Sequence, residues 1–269
     1  MRLATWTTWG SSGSHLLFAH ATGFCGACWR PVRHRLAEHS STIWDFRGHG
    51  SSGSSRLRRS WWEMADDVLA VQDAFASDAG RVIGIGHSMG GASLVMAELS
   101  LPGRFSALVL VEPIIFGTPH ARDASHPLVG LALRRREFFE SRDAVRSAYG
   151  AKPPFDAWHP DALDGYIEGG FVNHDSGVRL ACSPNAESEV FTAAGAHGAW
   201  ERLGEVTVPV TILYGAETDT YPSGHAEALV DRFARAKATR VSGTGHFLPM
   251  EQPGVVVDAV NEMLDDALS

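Results

Sequence analysis

Arg81-Val82-Ile83-Gly84-Ile85-Gly86-His87-Ser88-Met89-Gly90-Gly91 opens on apolar, partly β-branched residues and closes on glycines. The apolar half reads as a short buried strand. The residues that follow, Ala92-Ser93-Leu94-Val95-Met96-Ala97-Glu98-Leu99, read as a helix. Between them Gly86-His87-Ser88-Met89-Gly90 matches G-x-S-x-G, a sharp strand-to-helix turn. Such a turn strains the serine backbone, and small residues two before and two after it let strand and helix approach. The hydroxyl of Ser88 is then presented at the carboxyl end of a sheet, beside the positive end of a helix dipole. A dinucleotide-binding turn fits poorly, because Met89 stands where the third glycine of G-x-G-x-x-G belongs.

Working outward, the 269 residues suffice for one large α/β domain with an insertion, or for two small domains. Hydrophobic residues make up 44% and charged residues 20%, the balance of an ordinary globular chain. The net charge is −8, and the one basic block, Arg134-Arg135-Arg136, reads as the solvated face of a helix, which argues against a nucleic-acid partner. Cys25 and Cys28 form a single C-x-x-C, which lacks the second pair of a structural zinc site. With Cys182 the count is odd, pointing to reduced thiols and a cytoplasmic setting. No apolar run approaches the roughly 18 residues of a membrane span.

In chain order, an edge strand is expected over residues 2–9 and a turn over 10–14. A buried strand at 15–19 leads to the loop His20-Ala21-Thr22-Gly23-Phe24 and a helix from about Trp29 to Glu38. A strand at 41–45 precedes a Gly/Ser-rich loop over 46–55 that contains Arg47-Gly48-His49-Gly50, and residues 61–76 carry helical spacing. Beyond the serine turn, strands are expected at 107–112 and 208–214. The segment between them reads as a mostly helical insertion rich in aromatics (Phe138, Phe139, Tyr149, Phe155, Trp158, Tyr166, Phe171). A helix at 225–235, a short strand at 239–241, a loop at 243–247 and a last helix at 253–268 complete the pattern. Strand–helix alternation implies a mostly parallel, doubly wound α/β sheet covered on both faces.

A serine hydroxyl needs a base to take its proton, a carboxylate to orient that base, and donors for the developing oxyanion. His246, in Gly243-Thr244-Gly245-His246-Phe247, lies in a Gly-rich loop after the last strand and is the candidate base. Asp219, just past the strand ending at Tyr214, is the candidate carboxylate. Glu217 lies two residues away and would point elsewhere in an extended segment.

The order Ser88, Asp219, His246, together with His20-Ala21-Thr22-Gly23-Phe24, Asp45-Phe46-Arg47-Gly48-His49-Gly50 and Gly245-His246-Phe247, resembles the α/β-hydrolase fold superfamily over almost the whole chain. The likeness is to its capped esterase and lactonase branches. It implies a core from 1–113 and 206–269, with a helical cap over 114–205. By the same resemblance Ser88 is the nucleophile, His246 the general base and acid, and Asp219 the orienting carboxylate. The backbone N–H groups of Met89 and Thr22 form the oxyanion hole, although Ala21 replaces the usual glycine after His20. Some relatives carry the acid at the end of the strand after the nucleophile, which makes Glu112 the alternative. His20 and His49 are expected to stabilise their loops, His87 to pack at the elbow, and Arg47 to tie its turn through backbone carbonyls. The implied reaction is hydrolysis of a small, apolar ester or lactone through an acyl-enzyme, with no metal or organic cofactor. Perhydrolysis, carbon–carbon bond hydrolysis or ligand binding without turnover are the alternatives on the same fold. Serine at the elbow argues against the epoxide hydrolase and haloalkane dehalogenase branches, which place aspartate there.

Overall fold

In a computed structural model the described residues are 3–11, 13–53, 60–76, 80–117 and 121–266. Parts of the predicted turn at 10–14, the loop at 46–55, the insertion and the last helix lie outside them. The chain runs β1 (Thr5–Thr8), β2 (Ser14–Ala19), α1 (Arg30–Arg35), β3 (Ser40–Trp44), α2 (Trp62–Phe75), β4 (Arg81–His87), α3 (Met89–Ser100) and β5 (Ala107–Val111). There follow α4 (Pro127–Leu133), β6 (Phe138–Phe139), α5 (Arg142–Tyr149), α6 (Pro160–Gly169), β7 (Phe171–His174), β8 (Gly177–Leu180) and α7 (Pro184–Ala193). Last come β9 (Val210–Gly215), α8 (His225–Arg232), β10 (Ala236–Val241), α9 (Leu248–Glu251) and α10 (Pro253–Asp266).

Seven strands form one sheet in the order β1-β3-β2-β4-β5-β9-β10. Only β1 runs antiparallel, paired to β3 with Thr5 opposite Trp44. Its side chains alternate half-buried and exposed, as an edge strand requires, whereas every residue of β2 and β5 is buried. Successive side chains of a strand point to opposite faces, and here they separate two cores. Leu17 packs with Trp44, Met64, Val68 and Leu94, beneath α2 and α3. Leu16, Phe18, Ile83 and Ile85 pack with Val32, Val256 and Val260, beneath α1 and α10.

The site's position follows from strand order. After β2 the chain moves outward to β3, and after β4 it moves the other way to β5. Loops leaving β2 and β4 therefore diverge and open a crevice at their carboxyl ends, where ligands bind in doubly wound sheets. The loop at 20–24 leaves β2, and Ser88 leaves β4.

The segment between β5 and β9 has more helix than strand, but it also carries strands that were not expected. Its described residues form four α-helices, two short 3-10 helices and a three-stranded antiparallel sheet, ordered β6-β8-β7. α4 stops at Leu133, and Phe138 and Phe139 pair with Arg179 and Val178. A hairpin signal was present in Asp175-Ser176-Gly177 between Phe171-Val172 and Val178-Arg179-Leu180. Among the described residues no helix is long and apolar enough to cross a membrane.

Candidate active site

Ser88 sits between β4 and α3 at φ 56°, ψ −117°. A non-glycine residue in such a region costs about 1–3 kcal/mol and persists only where its surroundings fix it. Here the Ser88 N–H donates to the Val111 carbonyl at 2.9 Å, and the Ser88 carbonyl accepts from Ala92 and Ile114 at 3.1 and 3.3 Å. Close approach is the other condition. A Cβ on Gly90 would stand 2.2 Å from the Ala19 carbonyl oxygen, so α3 could not start there with a larger residue. The amides of Met89 and Thr22 donate to no acceptor among the described residues. They come from the first turn of α3 and from the loop after β2, the two sides of the crevice.

The one other non-glycine residue of positive φ among those described is Glu112, at 43°. It follows β5 directly, and its side chain is fully buried. One carboxylate oxygen accepts from the Gly215 N–H at 2.9 Å. The other accepts from the Thr218 hydroxyl at 2.7 Å and from His246 Nδ1 at 2.6 Å. The carboxylate bonded to His246 is therefore Glu112, the alternative, and not Asp219, which was expected in that place. Asp219 is exposed, and its carboxylate meets the hydroxyl of Thr220 at 3.5 Å. The reason is reach: β5 and β9 are neighbours, and Glu112 leaves the end of β5 inside the sheet. Asp219 lies four residues beyond the end of β9, in a turn facing outward.

The histidine loop is pressed onto the same strand ends. Glu217 donates its N–H to the Thr244 carbonyl at 3.0 Å. A Cβ on Gly215 would lie 2.4 Å from that carbonyl and 2.5 Å from that of Gly245, so this contact requires glycine. Gly245 donates its N–H to Glu251 in α9 at 2.9 Å. His87 donates from Nε2 to the His246 carbonyl at 2.8 Å, with the two rings 4.8 Å apart. Burial, followed by the neighbouring His246, holds His87 well below the usual histidine range, so it stays neutral.

Two more neutral histidines brace the loop after β2. His20 donates from Nδ1 to the Ala21 carbonyl at 2.7 Å and accepts from the Phe46 N–H at Nε2, 3.0 Å. His49 donates from Nδ1 to the Arg47 carbonyl and accepts from the Gly23 N–H at Nε2, both at 3.0 Å. Each ring spans the loops after β2 and β3, and each needs an unprotonated nitrogen to do so. Burial lowers His20 well below its ordinary value and His49 to about 4. Asp45 completes the brace, accepting from the N–H groups of Gly26 and Ser51, and burial raises its carboxyl to about 6. Arg47 does not hold its turn by backbone carbonyls. Its guanidinium pairs in a bidentate fork with Asp67, at 2.8 and 2.6 Å, and reaches Glu63 at 2.8 Å.

The segment between β5 and β9 rests on both loops. Phe24 packs against Trp158 at 5.3 Å, Tyr166 at 5.0 Å and Phe247 at 5.7 Å between ring centroids. The His159 N–H donates to the Met250 carbonyl at 2.7 Å. Of the seven aromatics singled out above, Phe138 is half exposed and the other six pack with Cys25 and Cys28 in one cluster. All three cysteines are buried free thiols. Among the described residues no three His, Cys, Asp or Glu side chains gather as a metal site.

The expectation of a solvated basic face at 134–136 fails at its centre. Arg134 and Arg136 are exposed, but Arg135 turns inward to Glu187 and the Tyr166 hydroxyl. The stop of α4 at Leu133, which breaks the helical phase, is what lets one arginine of three point in. No residue spacing signalled that turn.

A profile of the alpha/beta hydrolase family matches residues 16–259, which run from β2 into α10 and include both loops and the elbow. The chain belongs to the alpha/beta hydrolase family. Relatives of this hydrolase include a putative carbamate hydrolase RutD of Azorhizobium caulinodans, 27% identical over 260 residues, covering 94% of this chain and 90% of that one. A putative esterase/lipase of Haemophilus influenzae is 23% identical over 244 residues, with 87% and 77% covered. Among solved structures, the peroxisomal alpha-beta-hydrolase Lpx1 of Saccharomyces cerevisiae superposes with a TM-score of 0.83 at 20% identity, covering 98% of this chain and 81% of that one.

Proposed function

We propose that this chain hydrolyses a carboxylic ester or lactone through an acyl-enzyme on Ser88. The observation that carries the reading is the 2.6 Å contact of His246 Nδ1 with a buried Glu112, on a loop that His87 ties beside the strained Ser88. An ionised Glu112 accepts the Nδ1 proton and so leaves Nε2 of His246 as the basic nitrogen. In the proposed sequence Nε2 takes the Ser88 proton as the hydroxyl oxygen attacks the ester carbonyl. The Met89 and Thr22 amides stabilise the oxyanion. His246 then gives its proton to the leaving alcohol and activates water to release the acid. We read residues 114–205 as a cap that covers this site, in keeping with its packing on Phe24 and Phe247. The putative esterase/lipase among the relatives supports an ester substrate.

A second reading, cleavage of a carbamate carbon–nitrogen bond by the same groups, draws on the putative carbamate hydrolase relative. The test is hydrolysis of p-nitrophenyl acetate and butyrate, and of a p-nitrophenyl carbamate, beside a Ser88→Ala variant. Ester turnover that the variant loses by several orders of magnitude is the expected result. Equal activity of the two proteins overturns the nucleophile, and turnover of the carbamate alone moves the reading to the second.

A further inference from the structure

Arg135 is a charged group the proposed chemistry does not use, yet it lies beside the oxyanion loop. Its Nη1 is 3.2 Å from the place a Cβ on Gly23 would occupy, and Glu187 Oε1 is 2.5 Å from the same place. Gly23 follows Thr22, so the guanidinium lies against the residue next to the one that carries the proposed oxyanion amide. Its side chain is 18% exposed and that of Glu187 is 8%.

The surroundings leave donors over. A guanidinium carries five N–H donors. Those of Arg135 meet Glu187, the Tyr166 hydroxyl and Tyr149. At least two N–H groups then have no partner among the described residues. Tyr166 is buried and accepts from Arg135, so its own O–H proton is also free to donate. Burial, only partly offset by the adjacent guanidinium, keeps that phenol protonated. Excess donors around a fixed, buried cation call for a group that only accepts, and a planar carboxylate matches the guanidinium fork.

We propose that Arg135 and Tyr166 form a subsite for a carboxylate on the substrate, so that the preferred substrate is an acidic ester or lactone rather than a wholly apolar one. This rests on the acyl-enzyme reading at Ser88. Glu187, from the first turn of α7, holds the guanidinium against Gly23 and leaves the remaining N–H groups for the ligand. The aromatic cluster around Tyr149, Phe155 and Tyr166 walls the subsite from water, which strengthens a charged hydrogen bond there.

The test compares p-nitrophenyl hexanoate with mono-p-nitrophenyl adipate, which differ by a terminal carboxylate. The proteins are the wild type, Arg135→Gln, and Arg135→Gln/Glu187→Gln. The double variant leaves no unpaired buried charge should the single one fail to fold. Labelling of Ser88 by a fluorophosphonate reports the nucleophile independently of substrate charge. A wild-type preference for the adipate ester of about 10–100-fold in kcat/KM is expected, the range of a charged hydrogen bond. In the double variant that preference disappears, with the KM of the adipate ester rising far more than that of the hexanoate ester, and labelling persists. Should neither ester turn over, adipate is expected to slow labelling of the wild type but not of the double variant. Equal treatment of the two esters by the wild type, an equal loss of both in the double variant, or no protection by adipate overturns the subsite with the nucleophile intact. Absence of labelling in the wild type overturns the acyl-enzyme reading itself, and the subsite with it.

Discussion

Glu112→Gln separates the two carboxylates that the sequence offers to His246. The replacement has one oxygen and one NH2 to serve three donors. If the oxygen faces Thr218 and His246, the NH2 meets the Gly215 N–H at about the 2.9 Å of the original bond. Backbone cannot turn away, and a buried donor left facing a donor costs about 1–3 kcal/mol. If the NH2 faces His246, the Thr218 hydroxyl can rotate and the imidazole can move its proton from Nδ1 to Nε2. The second arrangement leaves fewer groups unpaired, and it is the one that disables catalysis, because Nε2 can no longer accept the serine proton. We therefore expect a folded protein destabilised by about 1 kcal/mol or less. Its kcat/KM falls by about ten-thousand-fold, the loss seen when an equivalent aspartate becomes asparagine in a serine protease, or about 5 kcal/mol of barrier. Asp219→Asn changes an exposed group and leaves stability within about 0.5 kcal/mol and activity within a few-fold. The assay is p-nitrophenyl butyrate hydrolysis, with thermal unfolding as the folding control. If Glu112→Gln stays within tenfold of the wild type while Asp219→Asn collapses, the orienting role belongs to Asp219 and the hydrogen-bonding argument is wrong.

Acid stability follows from the braced loops. His49 titrates at about 4 folded against an ordinary 6.5, so the unfolded chain binds more protons between those values and stability falls as pH falls through them, by about 3 kcal/mol in all. His20 and His87 are lowered too and add losses of the same sign. Asp45 opposes them, since its raised value near 6 makes the folded chain the better proton binder between 3.8 and 6. Urea titrations from pH 7 to 4.5 should show falling stability in the wild type and a steeper fall in Asp45→Asn; an equal or shallower fall refutes the assignment. Gly215→Ala places a Cβ against two backbone carbonyls and should push the histidine loop outward, lowering kcat by tenfold or more. A variant with unaltered kcat shows that the loop can give way. Gly23→Ala combines a φ of 79° with a clash on Glu187, and we expect a loss of about 1–3 kcal/mol in thermal unfolding. An unshifted Tm would mean that Glu187 moves aside freely.

The sheet was legible because its strands are short apolar runs at the centre and an alternating run at the edge, and because each chemical motif falls at a strand end. The elbow could be read from Gly86 and Gly90, whose smallness serves one contact that a local pattern encodes. The partner of His246 could not be read that way. Choosing between Glu112 and Asp219 depends on which strand end the histidine loop closes over, and that is set by Gly215, a residue with no chemistry of its own. Likewise the Arg135–Glu187 pair joins α7 to the stretch after α4, 52 residues apart, and nothing local announces it. The small sheet of β6, β7 and β8 was hard to read for a different reason: its strands are two to four residues long, at or below the shortest run over which a period of two can be counted, and its one local signal is the Asp175-Ser176-Gly177 turn.

Ser88 and Glu112, the two strained residues, are one backbone feature rather than two. The Ser88 amide is bonded to the carbonyl of Val111, the residue before Glu112, and the Ser88 carbonyl accepts from Ile114, two residues after it. The elbow is thus clamped on both sides by the chain that carries the acid. The Glu112 N–H donates to the Leu213 carbonyl of β9, and its carboxylate accepts from the N–H of Gly215 two residues on. Three adjacent strand ends, β4, β5 and β9, hold Ser88, the proposed nucleophile, Glu112, the proposed acid, and the ledge for the histidine loop in one hydrogen-bonded frame. Left-handed backbone at Ser88 and Glu112 is tolerable because leaving it would break bonds on a neighbouring strand as well as on its own. An acid placed on the outer turn at Asp219 would have no such tie to the serine. Its distance from the nucleophile would then vary with the turn, and a catalytic geometry needs to be held far more closely than that.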